Sequence, residues 1–242
     1  MKKFIFNADD LGSSEKVNQG IFRCADAGIV KSTSLMITNP LAKETYKQAI
    51  DHKISVGLHL NVTGEGKFLT NTALFGKTGK INHAFKINLL LENKEVEIVL
   101  DEFQKQLNLF IKHFRKSPDH INFHHPLYQI PNFTKPFADF VKKTSLPTRW
   151  FNDLSGYGCK TPNHTEFGFF DQDSLTLGNI IKLIDGSRSG VIEFVLHPGL
   201  YNPDSTSSYN HERGLQTEVL TNPELLAHIG NADYQIISFN EL

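Results

Sequence analysis

The chain has 242 residues, 39% of them hydrophobic, with 25 Lys and Arg set against 26 Asp and Glu. That length suits one large α/β domain with a full hydrophobic core, or two small ones. The near-neutral charge excludes the broad basic face of a nucleic-acid binder or of a protein held on an anionic membrane. No apolar run approaches the ~18 residues that cross a bilayer. The first ten residues turn acidic at Asp9 before the core of a secretory signal can form, so a cytoplasmic protein is expected. Nineteen Phe residues predict a core filled by large rings, with some available for the wall of a binding groove. Cys24 falls on the apolar side of a predicted helix and reads as a small buried residue; with Cys159 it makes two cysteines, and a chain this long needs no disulfide.

In chain order, residues 4–6 form a short apolar run that stops at Asn7-Ala8-Asp9-Asp10-Leu11-Gly12, a strand followed by a polar loop. Ser13 or Ser14 can cap a helix whose buried face carries Val17, Ile21, Cys24 and Ala25, with Gly28 ending it. Residues 32–38 predict a strand, 42–52 a helix and 55–63 a strand. Residues 96–114 carry the clearest helical spacing, with Val96, Val99, Leu100, Phe103, Leu107, Phe110, Ile111 and Phe114 three or four apart. A strand at 120–124, a helix at 133–144 and a strand at 148–151 follow. A helix at 175–184, a strand at 191–196, a helix at 222–229 and a terminal strand at 234–239 complete the series. Residues 64–83, 152–173 and 201–214 read as loops. Strands alternating with helices imply a parallel sheet with helices outside it. Seven or eight such units without a linker or repeat fit one α/β domain over residues 1–242. The expected fold is (β/α) barrel-like, an irregular or incomplete TIM-type barrel.

Polar residues cluster where such strands end. Asp9 and Asp10 follow the first strand, His59 and Asn61 lie in another, His124 and His125 end a third, and His197 closes the strand at 191–196. In a parallel barrel these ends converge on the face that carries the active site. Alternation sharpens the choice. His59, Asn61 and Thr63 share one strand face against Leu58, Leu60 and Val62. His120, Asn122 and His124 share one face against Ile121 and Phe123. The apolar faces belong against the helices, so His59 and His124 point into the barrel and His125 does not. His120 is either a support for a ligand or a plain strand residue. One carboxylate and two imidazoles, Asp10, His59 and His124, make an open site for a divalent metal, and the ligand set alone admits Zn²⁺, Mg²⁺, Mn²⁺, Fe²⁺ or Co²⁺. Asp9 would then serve as general base and His197 as general acid or oxyanion partner.

These residues resemble the YdjC-like carbohydrate deacetylases, a family that includes chitooligosaccharide deacetylases. The likeness rests on residues 7–12, Val17-Asn18-Gln19-Gly20-Ile21, residues 28–36, residues 56–63, residues 119–125, Leu196-His197-Pro198-Gly199, and Arg213 with Leu215 and residues 220–223. The resemblance implies a (β/α) barrel-like fold and removal of an N-acetyl group from an amino sugar or oligosaccharide. It implies a divalent metal, Mg²⁺ first among the candidates, on Asp10, His59 and His124, with Asp9 as base and His197 in the active site. Asn61 and Arg213 are expected to touch substrate. The chain departs from the family at Asn122, commonly Asp, and at Pro126, commonly His. A small-molecule or oligosaccharide partner is expected, and a homodimer is left open. Two rivals remain. A hydrolase of another ester or a phosphoester would want more cations at the site than Arg149 and Arg213. A non-catalytic sugar-binding relative would keep the metal without turnover.

Overall fold

A computed structural model describes residues 2–64, 66–205, 207–231 and 234–242. Seven parallel strands form one sheet: β1 (Lys2–Leu11), β2 (Ser32–Leu35), β3 (Ser55–Leu60), β4 (Ile121–Phe123), β5 (His164–Glu166), β6 (Gly190–Leu196) and β7 (Tyr234–Ile236). Their order is β4-β3-β2-β1-β6-β5. β7 pairs with the start of β1, Lys2–Phe4, while β2 pairs with its later half on the way to Leu11. The sheet curls into a half-barrel, as the barrel-like expectation required. Around it run α1 (Glu15–Asp26), α2 (Ala42–Asp51), α3 (Lys80–Ala84), α4 (Asn93–Phe114), α5 (Thr134–Thr144), α6 (Leu177–Gly186), α7 (His211–Leu220) and α8 (Pro223–Asn231).

Local chemistry sets the element ends. Ser14 accepts a hydrogen bond from the Val17 N–H at 3.2 Å and starts α1. Glu92 and Glu95 form a reciprocal capping box at the start of α4, and Arg115 ends that helix in the left-handed region at φ +55°. β3 stops at Leu60, short of residue 63. Asn61 Oδ1 accepts from the N–H groups of Thr63 and Gly64, and this Asx turn pulls the chain off the sheet.

The two faces of the sheet differ in chemistry. Phe4, Phe6, Val56, Leu58, Leu60, Ile121, Ile192, Phe194 and Leu196 face the helices and form the main core. The opposite face encloses Asn7, Asp9, Ser34, His59, Asn122, Thr165 and Glu193, all buried and polar. A small apolar floor of Ile5, Ile237 and Phe239 closes this polar interior from below.

Several expectations change, α3 among them, since it starts inside the stretch read as loop at 64–83. The segment at 148–151 is not a strand: Thr148 makes one isolated bridge to Ile121. β5 lies inside the stretch read as loop at 152–173, and of its three residues only Thr165 is buried, so no apolar signal marks it. α7 starts inside the supposed loop at 201–214. It buries Gln216 and Thr217 beside Leu220, which leaves no apolar stripe for periodicity to find.

Candidate active site at the strand ends

Strict alternation would put Asp9 and Asp10 on opposite faces of β1. A bulge prevents it. Ala8 lies opposite Thr33 and Leu11 opposite Leu35, so β1 carries one extra residue between them. Asp10 takes it up with a left-handed φ of +69°, a conformation that costs a non-glycine residue of order 1–3 kcal/mol. Asn18 on α1 holds the kink: its Oδ1 accepts the Gly12 N–H at 2.7 Å, and its Nδ2 donates to Thr45 Oγ1 at 3.0 Å. Both carboxylates therefore reach one cavity.

A second left-handed residue, His125 at φ +64°, follows His124. His124 Nδ1 lies 3.1 Å from Asp10 Oδ1. The His125 ring turns instead to Thr63 Oγ1 at 2.8 Å and to Phe85. β4 ends at Phe123, so this turn rather than strand parity separates the two histidines, and His125 still lines the cavity.

Asp10, His59 and His124 bring their donor atoms within 4.8 Å of one another, a grouping that could hold a metal ion. His59 Nε2 is buried, 3.2 Å from Asp10 Oδ1, and makes no hydrogen bond among the described residues. Its other nitrogen is fixed by Asn122. The Asn122 amide Nδ2 donates to Asp9 Oδ1 at 3.1 Å, so its Oδ1 must face His59 Nδ1, 2.7 Å away, and accept from it. That contact places the ring proton on Nδ1 and leaves the Nε2 lone pair toward Asp10, the arrangement of a metal-ligating imidazole. Burial disfavours a charged His59, yet Asp9 and Asp10 outweigh burial and raise its pKa. The field that draws a proton to this ring draws a cation to the same place, so the donor set fits a divalent ion.

Asp9 is held by four groups. Arg149 donates to both of its oxygens, Nη1 to Oδ2 at 2.8 Å and Nη2 to Oδ1 at 2.9 Å. Asn7 Nδ2 and Ser34 Oγ donate to Oδ1 at 2.7 and 2.9 Å. Burial would raise the Asp9 carboxyl, but Arg149 and His59 hold it well below the usual carboxylate range. Asp10 follows the same balance, with burial opposed chiefly by Arg213 and His124. Arg149 is itself fixed from behind: its Nε donates to Glu193 Oε1 at 2.9 Å. Both ions of that pair are buried.

His197 stands opposite this cluster, its Nε2 3.8 Å from Asp9 Oδ2. Its ring is met edge-on by Phe170 and Tyr209, and burial pushes its pKa down to about 4. Gln216 on α7 positions it, accepting the His197 N–H at 2.6 Å while donating to Phe169 O at 3.0 Å.

Two expected substrate contacts sit differently. Asn61 is not among the residues lining the cavity; it is buried and shapes the loop after β3. Arg213 lines the cavity but donates to Asp10 Oδ2 at 2.6 Å. Arg149 and Arg213, already few for a phosphoester site, are thus both engaged by carboxylates. Glu193 was missed, although a charge inside the apolar strand, on the parity of His197, is a legible signal. His120 does not reach the cluster. It lies beneath it, stacked on Phe239 at 4.0 Å.

The cavity above these groups measures about 790 Å³. A half-barrel that gathers one carboxylate and two imidazoles at its strand ends, beside a second carboxylate and a histidine, defines an α/β-barrel protein with a candidate metal-hydrolase centre. The chain belongs to the YdjC-like protein family, whose model matches residues 3–230. It is 30% identical over 241 residues to a carbohydrate deacetylase of Geobacillus stearothermophilus, covering 98% of this chain and 96% of that one. It is 27% identical to a carbohydrate deacetylase of Clostridium beijerinckii, covering 99% and 100%. Among solved structures, a candidate cellobiose-phosphate cleavage protein of Enterococcus faecalis shares the fold at a TM-score of 0.80 and 24% identity, covering 99% of this chain and 98% of that one. Among the described residues no helix is long and apolar enough to cross a membrane.

Proposed function

We propose that residues 1–242 act as one deacetylase domain that hydrolyses the N-acetyl group of an amino sugar or its oligosaccharide. The observation that carries this reading is the pair Asp9 and His197, facing each other across 3.8 Å beside the Asp10–His59–His124 group. The relatives named carbohydrate deacetylase, matched over nearly their whole length, support the substrate class.

Asp10, His59 and His124 would hold a divalent cation, which when bound supplies Lewis acidity toward a water and the amide carbonyl. Asp9 takes the proton of the attacking water as oxygen adds to the carbonyl carbon. Arg149 keeps Asp9 ionised and fixes its orientation, so the base needs no reorganisation at the moment of attack. The proton taken by Asp9 passes to His197 Nε2, 3.8 Å away; when the C–N bond breaks His197 gives it to the amine nitrogen, and acetate and the free amino sugar leave. With its pKa pulled down to about 4, His197 starts as a neutral imidazole that can accept this proton and then surrenders it readily. Arg213 fixes Asp10, and Asn122 fixes His59 and Asp9 together. Two imidazole nitrogens and one carboxylate suit Zn²⁺ or Fe²⁺ better than Mg²⁺, which prefers oxygen donors, so the donor chemistry ranks Mg²⁺ lower than the resemblance does.

Acetate release from N-acetylglucosamine oligomers tests the reading, with and without a chelator, for wild type and Asp9→Asn. We expect release that the chelator abolishes and that the substitution lowers by about 10²–10⁴-fold, the usual worth of a general base. No acetate from any oligomer by the metal-loaded protein would move the assignment to another acyl substrate or to a binding role.

A further inference from the structure

Folding buries most aromatic rings, and this chain leaves few exposed. Two of them, Phe167 at 42% and Phe170 at 41% exposure, flank the fully buried Phe169 in one short stretch after β5, and both line the cavity. The stretch is tied down along its backbone. The Gly168 N–H donates to Glu166 Oε1 at 2.6 Å, and Gly168 O accepts from Asn179 Nδ2 at 3.1 Å. Phe169 O accepts from Gln216 Nε2, and Phe170 O accepts from Tyr209 Oη at 2.7 Å. The rings are thus presented on a fixed frame, which lowers the entropy lost when a ligand packs on them.

The two rings have different neighbours. Phe170 stacks on Tyr209 at 4.4 Å and meets His197 edge-on, so it belongs to the wall of the reaction centre. Phe167 has Tyr128 beside it at 6.2 Å, and Tyr128 in turn stacks on the buried Phe151 at 5.3 Å. Among the described residues this second aromatic pair makes no ring contact with His197, yet it lines the same cavity. A cavity of about 790 Å³ lies high in the ~300–1,000 Å³ range of small-molecule sites, more than one sugar ring fills. A pyranose offers C–H faces to a phenyl ring and hydroxyls around its edge. A purely apolar occupant would instead strand Asp9, Asp10 and Arg213 against hydrocarbon.

Resting on the deacetylase reading, we propose that Phe167, backed by Tyr128, is a stacking platform for a second sugar ring. The acetylated ring would sit between Asp9 and His197, so a disaccharide or longer oligomer is taken in preference to a monosaccharide.

The test is kcat/KM for N-acetylglucosamine and for its β-1,4-linked disaccharide, in wild type, Phe167→Ala and Phe167→Trp. Wild type prefers the disaccharide. In Phe167→Ala that preference falls about tenfold, the upper end of what one stacked ring supplies, and the fall lies mainly in KM; Phe167→Trp retains it. An unchanged preference in Phe167→Ala overturns the platform and leaves the deacetylase reading standing. If wild type releases acetate from neither sugar, that reading fails and calorimetry of the disaccharide decides this one. Weaker binding to Phe167→Ala than to wild type supports the platform, and equal or absent binding overturns it.

Discussion

His120 sets an acid limit on this fold. Its ring is fully buried beneath the candidate site, packed between the Gly57 backbone and Phe239, and neither ring nitrogen makes a hydrogen bond among the described residues. Burial, aided by Arg149, pushes its pKa from 6.5 down to about 3. The sign follows from linkage: between these values the unfolded chain binds the proton and the folded one does not, so stability is full above about pH 6.5 and lost as pH falls toward about 3. Each pH unit inside that window is worth about 1.4 kcal/mol, so this one group removes about 2.5 kcal/mol between about pH 7 and about pH 4.5. His120→Asn deletes the titration. The variant is less stable at neutral pH because it leaves a gap beneath Phe239. Its urea-unfolding free energy nevertheless changes with pH by about 2.5 kcal/mol less than wild type over that interval. Parallel pH dependences in the two proteins would refute the reasoning, because the penalty would then belong to other groups.

Two more substitutions probe how the site is held. Gly20 on α1 lies against the backbone of Gly199, and a Cβ there would overlap Gly199 main-chain atoms. Gly20→Ala should cost about 1–3 kcal/mol in overpacking and displace the loop that carries His197. A kcat loss on the order of 10²-fold is expected for a misplacement near 1 Å; wild-type kcat with lowered stability would show that the loop yields without moving His197. Asn122→Ala removes the acceptor from His59 Nδ1 and one donor from Asp9. Metal affinity, read by competition with a fluorescent chelator, should fall about 10–100-fold, and an unchanged Kd would mean that Ser34, whose Oγ lies 3.2 Å from His59 Nδ1, suffices to orient the ring.

Much of the fold was legible because hydropathic periodicity reports burial against a helix layer. β1, β3, β4 and β6 have an apolar outer face, and α1, α2, α4 and α5 have an apolar stripe, so their sequences carry it. β5 and α7 were not legible, because what they bury is polar: Thr165 beside Glu193, and Gln216 and Thr217 against the His197 loop. Those polar groups are inside because they position the site, so the sequence signal fades where function replaces packing. The same trade governs the site residues. His59 lies in β3 and faces the polar interior as alternation predicts, whereas His124 falls just past the end of β4, ahead of the left-handed His125. Asp10 violates alternation, since a regular β1 would turn it toward the helices while Asp9 faced in. The left-handed Asp10 and the bulge pinned by Asn18 remove that conflict. Two carboxylates that are chain neighbours are thereby fixed within one cavity by a single local distortion, and that distortion has no signature in hydropathy.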